Sequence, residues 1–262
     1  MPKKNDDLPF QAIDPDPKTK EKNRKFTLVC GLPSSGKTHS LLEILHHTSA
    51  DFFACKPFDK ALQLKNAQEK KCDAELFQAA KKENLHINLF SPYIAYFDAP
   101  FEYALGLEGL KVNWKTVESY QKIWEKSYQK VWIESLGSVF EPLDFQVNFL
   151  EWSLQLATSA LFVLDPDPKN FQHNLSEILH LQKKFSPFAV LINNRKNISD
   201  ARWLEYCWLK LEQDLNLKVL GLQAYQPKKE SQPQRGKKEK EKQAEENFSN
   251  FWVEEAIRLF SP

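Results

Sequence analysis

A short apolar stretch, Phe26-Thr-Leu-Val-Cys30, runs directly into Gly31-Leu-Pro-Ser-Ser-Gly-Lys-Thr38. Leu41, Leu42, Ile44 and Leu45 follow at helical spacing. The run before the glycines has the length and composition of a buried strand, and the pattern behind them that of an amphipathic helix. A strand that turns into a helix through Gly-x-x-x-x-Gly-Lys-Thr leaves few folds open. Its glycines let backbone N–H groups wrap an anion with no Cβ in the way, at the positive end of the helix. In such a loop Lys37 supplies charge to the β- and γ-phosphates, and the Thr38 hydroxyl ligates Mg²⁺. Gly31, Ser34, Ser35, Gly36, Lys37, Thr38 and His39 are therefore the expected nucleotide contacts, with ATP and Mg²⁺ the expected ligands. A bare match of this kind arises by chance. The strand before it and the helix after it give it weight.

The rest of the chain repeats the alternation. Apolar runs at Phe52–Lys56, Lys130–Glu134, Ala160–Asp165, Phe188–Asn193 and Lys218–Gly221 are predicted strands. Helical patterns are predicted at 37–47, 59–83, 114–128, 145–158, 170–184 and 200–214. Most strand runs are continuously apolar, as strands covered on both faces must be. The expected fold is α/β, a mainly parallel sheet flanked by helices, spanning 26–225. Residues 1–25 carry seven basic and five acidic side chains with four prolines, and read as a flexible arm. Residues 226–246 hold the same seven against five and read as a charged linker, not a nucleic-acid tail. Phe248, Phe251, Trp252, Ile257 and Phe260 then mark an amphipathic helix within 247–262, expected to dock on the domain or a partner.

A formal net charge of +1 offers no field for nucleic acid. Cys30, Cys55, Cys72 and Cys207 lie far apart with no CxxC pair, which argues against disulfides or a zinc site. No apolar run reaches the ~18 residues of a membrane span, and Met-Pro-Lys-Lys-Asn-Asp-Asp lacks a signal-peptide core. A cytoplasmic setting with no membrane partner is the expectation.

Ligands of parallel sheets sit at the carboxyl ends of strands. Lys56 ends the second strand before Pro57, Glu134 ends the third, Asp165 the fourth, and Asn194 follows the fifth. Taken singly, Lys56 reads equally as a solvated strand end and Glu134 as an acid at a helix start. Asn194 alone reads more readily as a turn former than as a reader of a base edge.

In order along the chain, the phosphate loop, Lys56-Pro57, Asp73, Ser91-Pro92-Tyr93, Glu134-Ser-Leu-Gly-Ser138 and Asn194 together resemble the dethiobiotin synthetase family. The resemblance covers about 26–222. It implies a homodimeric ligase that uses MgATP and CO2 to close 7,8-diaminopelargonic acid into the cyclic urea of dethiobiotin, in biotin biosynthesis. By position, Lys37 and Lys56 would be its catalytic lysines, Thr38, Asp73 and Glu134 its Mg²⁺ ligands, and Asn194 its adenine contact. The chain also departs from that pattern. Leu32-Pro33-Ser34-Ser35 replaces polar Thr and Asp side chains in a loop one residue shorter. Lys60 stands where Ser is usual, and Lys169-Asn-Phe-Gln-His173 stands where a substrate-carboxylate turn belongs. These departures keep open a P-loop ATPase or nucleotide-dependent switch without ligase activity.

Overall fold

The computed structural model describes residues 25–63, 70–81, 83–223 and 251–261. The expected linker 226–246, and the expected arm apart from Lys25, lie outside the described residues. Ten strands are described: β1 (Phe26–Cys30), β2 (Phe52–Cys55), β3 (Phe58–Lys60), β4 (Leu62–Gln63), β5 (Lys70–Lys71), β6 (Tyr93–Ala95), β7 (Lys130–Glu134), β8 (Ser159–Leu164), β9 (Phe188–Asn193) and β10 (Lys218–Gln223). Six of them form one sheet in the order β10-β9-β8-β1-β7-β2. Every pairing in it is parallel. The class read from the apolar alternation is the class observed.

The helices are α1 (Lys37–His46), α2 (Asp73–Lys81), α3 (Ile87–Phe90), α4 (Phe101–Leu107), α5 (Trp114–Ser127), α6 (Phe149–Ser153), α7 (Pro168–Leu181) and α8 (Ala201–Leu209). A last helix, α9, spans 251–260. Their starts carry recognisable chemistry. The Asn113 side chain accepts from Lys115 and Thr116 N–H at the head of α5. Asp167 accepts from Lys169 N–H with Pro168 in the first turn of α7, and Asp200 accepts from Arg202 and Trp203 N–H at α8. α8 runs on into a π-helical turn, Lys210–Asp214. Among the described residues no helix is long and apolar enough to cross a membrane.

The stretch 59–83 departs most from its sequence pattern. Helical spacing predicts one helix there, but among the described residues helix begins only at Asp73, with α2. Tertiary contacts override the local pattern before it. Phe58 is fully buried at the centre of an aromatic cluster, with Trp152 at 5.2 Å and Phe101 at 5.6 Å between ring centroids. Burying that ring draws Phe58–Lys60 into a two-stranded parallel pair with β6. The main sheet ends its second strand at Cys55 because the chain turns away at Pro57, whose nitrogen cannot donate to a ladder. The predicted helix at 145–158 is likewise reduced to α6, one short turn capped by Asn148 and Glu151.

α9 docks on the domain. Trp252, Val253, Ala256 and Phe260 are buried, and Phe260 meets the Trp132 ring of β7 edge-on at 5.4 Å. Trp252 lies over Gly221 of β10, where an added Cβ would come within 2.9 Å of its own Cβ. Lys218 of β10 pairs with Glu255 at 3.1 Å. Replacing Trp252 with Ala removes a ring that seats the helix on the sheet, and should destabilise the domain by about 3–5 kcal/mol. Equilibrium denaturation of the full chain measures this, and an unchanged midpoint would show that α9 is not part of the cooperative unit.

Candidate functional site

β1 lies between β7 and β8, where the strand order runs outward in two directions. The crevice of such a sheet opens at the carboxyl ends of the strands beside that reversal. The phosphate loop leaves β1 there. Gly31 (φ 143°) and Gly36 (φ 92°) adopt backbone that side chains resist, and both are crowded. A Cβ on Gly31 would lie 2.3 Å from the Val163 carbonyl oxygen, and one on Gly36 2.2 Å from Asn193 Nδ2. Ser34 also has positive φ, at 62°. The glycines therefore shape a loop locked between β8 and β9.

Lys37 is buried at the first turn of α1, and its ammonium donates to the carbonyls of Gly31 (2.9 Å) and Leu32 (3.0 Å). Burial lowers its pKa to about 8, with Glu134 opposing the shift. It is a desolvated cation folded over its own loop, held near an anion site by carbonyls that a phosphate could replace. Thr38 donates to Glu134 Oε1 at 2.8 Å. Ser35 Oγ and Glu134 Oε2 are buried without a hydrogen-bond partner. A buried polar atom left open in this way calls for a partner such as water, an ion or a ligand. His39, by contrast, is exposed on α1, and Ser34 is exposed at the loop tip.

Lys56, Asp73 and Glu134, far apart in sequence, meet. Lys56 Nζ lies 3.1 Å from Glu134 Oε1 and 3.4 Å from Asp59 Oδ1, and donates to Asp73 Oδ2. Burial would lower the pKa of Lys56, but Glu134, Asp59 and Asp73 together hold it well above the usual lysine value. Burial pushes Glu134 up, with Lys56 pulling the other way. Asp59 was not among the residues singled out in the sequence. Its Oδ2 accepts from Ala74 N–H at 3.0 Å, so it also starts α2 and thereby carries Asp73 to the site. Lys60, one residue on, points elsewhere and pairs with Glu141 at 2.9 Å.

On the other side of β1, two neighbouring asparagines take different partners. Asn193, the last residue of β9, donates to Ser35 O at 3.0 Å and so braces the phosphate loop. Asn194 has both ends of its amide engaged locally: Nδ2 donates to Ile198 O at 2.9 Å and Oδ1 accepts from Ile198 N–H at 2.8 Å. Asp165 accepts from Asn170 Nδ2 (3.0 Å) and Lys196 Nζ (2.8 Å), tying the loops after β8 and β9 together.

Among the described residues no three His, Cys, Asp or Glu side chains are grouped to hold a metal unaided. Asp73, the third expected ligand, is paired with Lys56, while Mg²⁺ would be held here by Thr38 Oγ and Glu134, with phosphate oxygens and water as its further ligands. The open Glu134 Oε2 fits that requirement.

The all-parallel sheet with this strand order, and a glycine loop between its central strand and α1, define the fold of P-loop nucleoside triphosphatases. No protein-family model matches the chain, and no curated protein matches it. Among solved structures it is similar to the MinC:MinD cell division protein complex of Aquifex aeolicus (14% identity, TM-score 0.49, 89% of this chain and 96% of that one). It is similar also to HypB of Helicobacter pylori in complex with nickel (14%, TM-score 0.45, 94% of each chain). A third is a putative plasmid partition protein of Borrelia burgdorferi bound to AMPPNP (10%, TM-score 0.47, 88% and 99%). Likeness at this level says nothing of ligand or substrate, which rest here on the geometry.

The ion cluster generates a test. Lys56→Met keeps the stem and removes the charge, leaving buried Asp59 and Glu134 uncompensated. It should cost about 3–5 kcal/mol of stability at neutral pH. The loss should shrink as pH falls, because carboxyls whose folded pKa is raised regain stability on taking up protons. Urea unfolding at pH 7 and pH 5 measures both. An equal loss at the two pH values would show that the cluster is not held by charge.

Proposed function

We propose that this chain binds a nucleoside triphosphate with Mg²⁺ and hydrolyses it slowly, as a P-loop ATPase or nucleotide-dependent switch without ligase activity. One observation carries this choice over ring closure: Lys56 is already saturated with carboxylates. A carbamate ligase needs a free cation to receive an anionic substrate. Here one ammonium faces Asp59, Asp73 and Glu134. At about 4 Å and an effective dielectric near 20, each unit-charge contact is worth about 4 kcal/mol. The attraction of a carbamate to Lys56 is offset by repulsion from the acids beside it. The same excess of negative charge favours a divalent cation.

The phosphate side has what hydrolysis asks for. Backbone N–H groups of Gly36, Lys37 and Thr38 and the Lys37 ammonium neutralise charge on the β- and γ-phosphates, most strongly where charge builds as the bond between them breaks. Thr38 and Glu134 would hold Mg²⁺, which draws charge from the phosphate oxygens when bound. Water attacks the γ-phosphorus, the diphosphate leaves, and inorganic phosphate forms with release of a proton. The burial of Lys37 makes its charge count for more than it would in water.

The ligase reading remains the second one, supported by the order of Lys56-Pro57, Asp73 and Glu134 along the chain and by their convergence around one ammonium. The two readings separate in one assay. Phosphate release from MgATP, and from MgGTP, is measured alone and then with diaminopelargonate and bicarbonate added. The proposal expects release that needs neither addition, and no dethiobiotin. Release that requires both, with dethiobiotin formed, would overturn it.

Lys37→Ala should weaken binding of MgATP by at least about tenfold, or abolish turnover, while the fold is retained. Isothermal titration beside a thermal melt checks this. An unaltered dissociation constant and rate would remove the phosphate loop from the function.

A further inference from the structure

Glu177 lies in α7, outside every motif of the phosphate site, yet it is 96% buried with 4% exposure. The Ser138 hydroxyl donates to its Oε1, and Oε2 is buried without a partner. Ser138 Oγ in turn accepts from Phe140 N–H at 3.2 Å, so its single proton is committed to Glu177. Burial pushes the Glu177 carboxyl up, while Ser138 and the nearby Lys37 charge pull it down. The acid is therefore within electrostatic range of the phosphate lysine.

Ser138 ends the loop 135–138, which leaves Glu134 directly. That loop is held from two sides. On one, Pro33 of the phosphate loop stands over Gly137, its Cγ 3.4 Å from where a Cβ would be. On the other, α7 holds it through Ser138–Glu177 and through an edge contact of Phe140 with His180 at 5.3 Å. Inside the loop, Ser135 Oγ donates to Gly137 O at 2.9 Å, which keeps it compact. A carboxylate in a helix interior, desolvated and holding one serine, is a costly arrangement for packing alone.

We propose that Glu177 is a positioning residue of the phosphate site: through Ser138 it anchors the 135–138 loop against the phosphate loop, and so fixes the groups that act on the bound triphosphate. This rests on the triphosphatase reading above. Glu177 touches no substrate atom in this role. Its effect passes through Ser138 to Gly137 and Pro33, and through the loop to Glu134.

The test compares Glu177→Ala, Glu177→Gln, Ser138→Ala and the Glu177→Ala/Ser138→Ala pair in the full chain with MgATP. A loop displaced by about 1 Å costs on the order of 10- to 100-fold in turnover. Both alanine variants should lose kcat in that range with KM close to wild type. Glu177→Gln, whose amide oxygen still accepts from Ser138, should keep most of the rate. The double variant should be no worse than either single one, because both remove the same contact. A wild-type kcat in Glu177→Ala overturns the proposal, as does a Gln variant as slow as Ala, or additive losses. If Glu177→Ala fails to fold, Ser138→Ala against Glu177→Gln decides alone. A wild type that neither binds nor hydrolyses MgATP or MgGTP brings down the triphosphatase reading instead. Hydrogen exchange over 135–141 in nucleotide-free protein tests the anchor apart from that reading, and exchange unchanged in Ser138→Ala overturns it.

Discussion

Everything at the site depends on β1 having a parallel neighbour on each side. A strand in the middle of an all-parallel sheet has its backbone groups paired both ways, so its end is fixed in space by two ladders. The loop that leaves it inherits that rigidity. Val163 of β8 and Asn193 of β9 close in on Gly31 and Gly36, and Glu134 of β7 meets Thr38. Three strands thus define one loop. A phosphate nest needs this, because its N–H groups point usefully only if the backbone cannot relax.

Charge is distributed unequally around that loop. On the β2–β7 side, Lys56 is enclosed by Asp59, Asp73 and Glu134. On the β8–β9 side, Asp165, Asp167 and Lys196 form an ion cluster nearer the surface. In the first, Lys56, Asp59 and Glu134 are buried deep, where unpaired charge is expensive, with Asp73 at the rim. In the second, Asp165 is buried while Lys196 and Asp167 are partly exposed, and the three tie the loops after β8 and β9 together. Aromatic packing sets the depth: Phe58 in its ring cluster pulls Pro57 and Asp59 inward and takes Lys56 with them.

A resemblance carried by motif order can place residues together without fixing the chemistry they do. Lys56, Asp73 and Glu134 come together as that order implied. Asp59, which no motif named, joins them and adds a third carboxylate to the surroundings that an incoming anion would meet. Within the Glu134-Ser-Leu-Gly-Ser138 segment, Gly137 lies beside Pro33 and Ser138 donates to Glu177.

The strand–loop–helix unit at 26–46 was determined by sequence alone, because its information is local: apolar run, glycines, lysine and helical spacing all lie within about six turns of chain. So was the α/β class, since strands buried on both faces must be continuously apolar. The region 57–113 was not legible. Its elements are short, and Phe58, Tyr93 and Phe101 choose their partners by filling a common core, a contest that periodicity does not record. Asn193 braces the phosphate loop, a role no motif marked, because packing brings Ser35 O to its amide. Glu177 was hidden for a further reason. A glutamate in an amphipathic helix has the sequence signature of a solvated face, and only the approach of Ser138 from another loop shows that this one points inward. Local chemistry was written in the chain; which distant side chains share a desolvated volume was decided by packing.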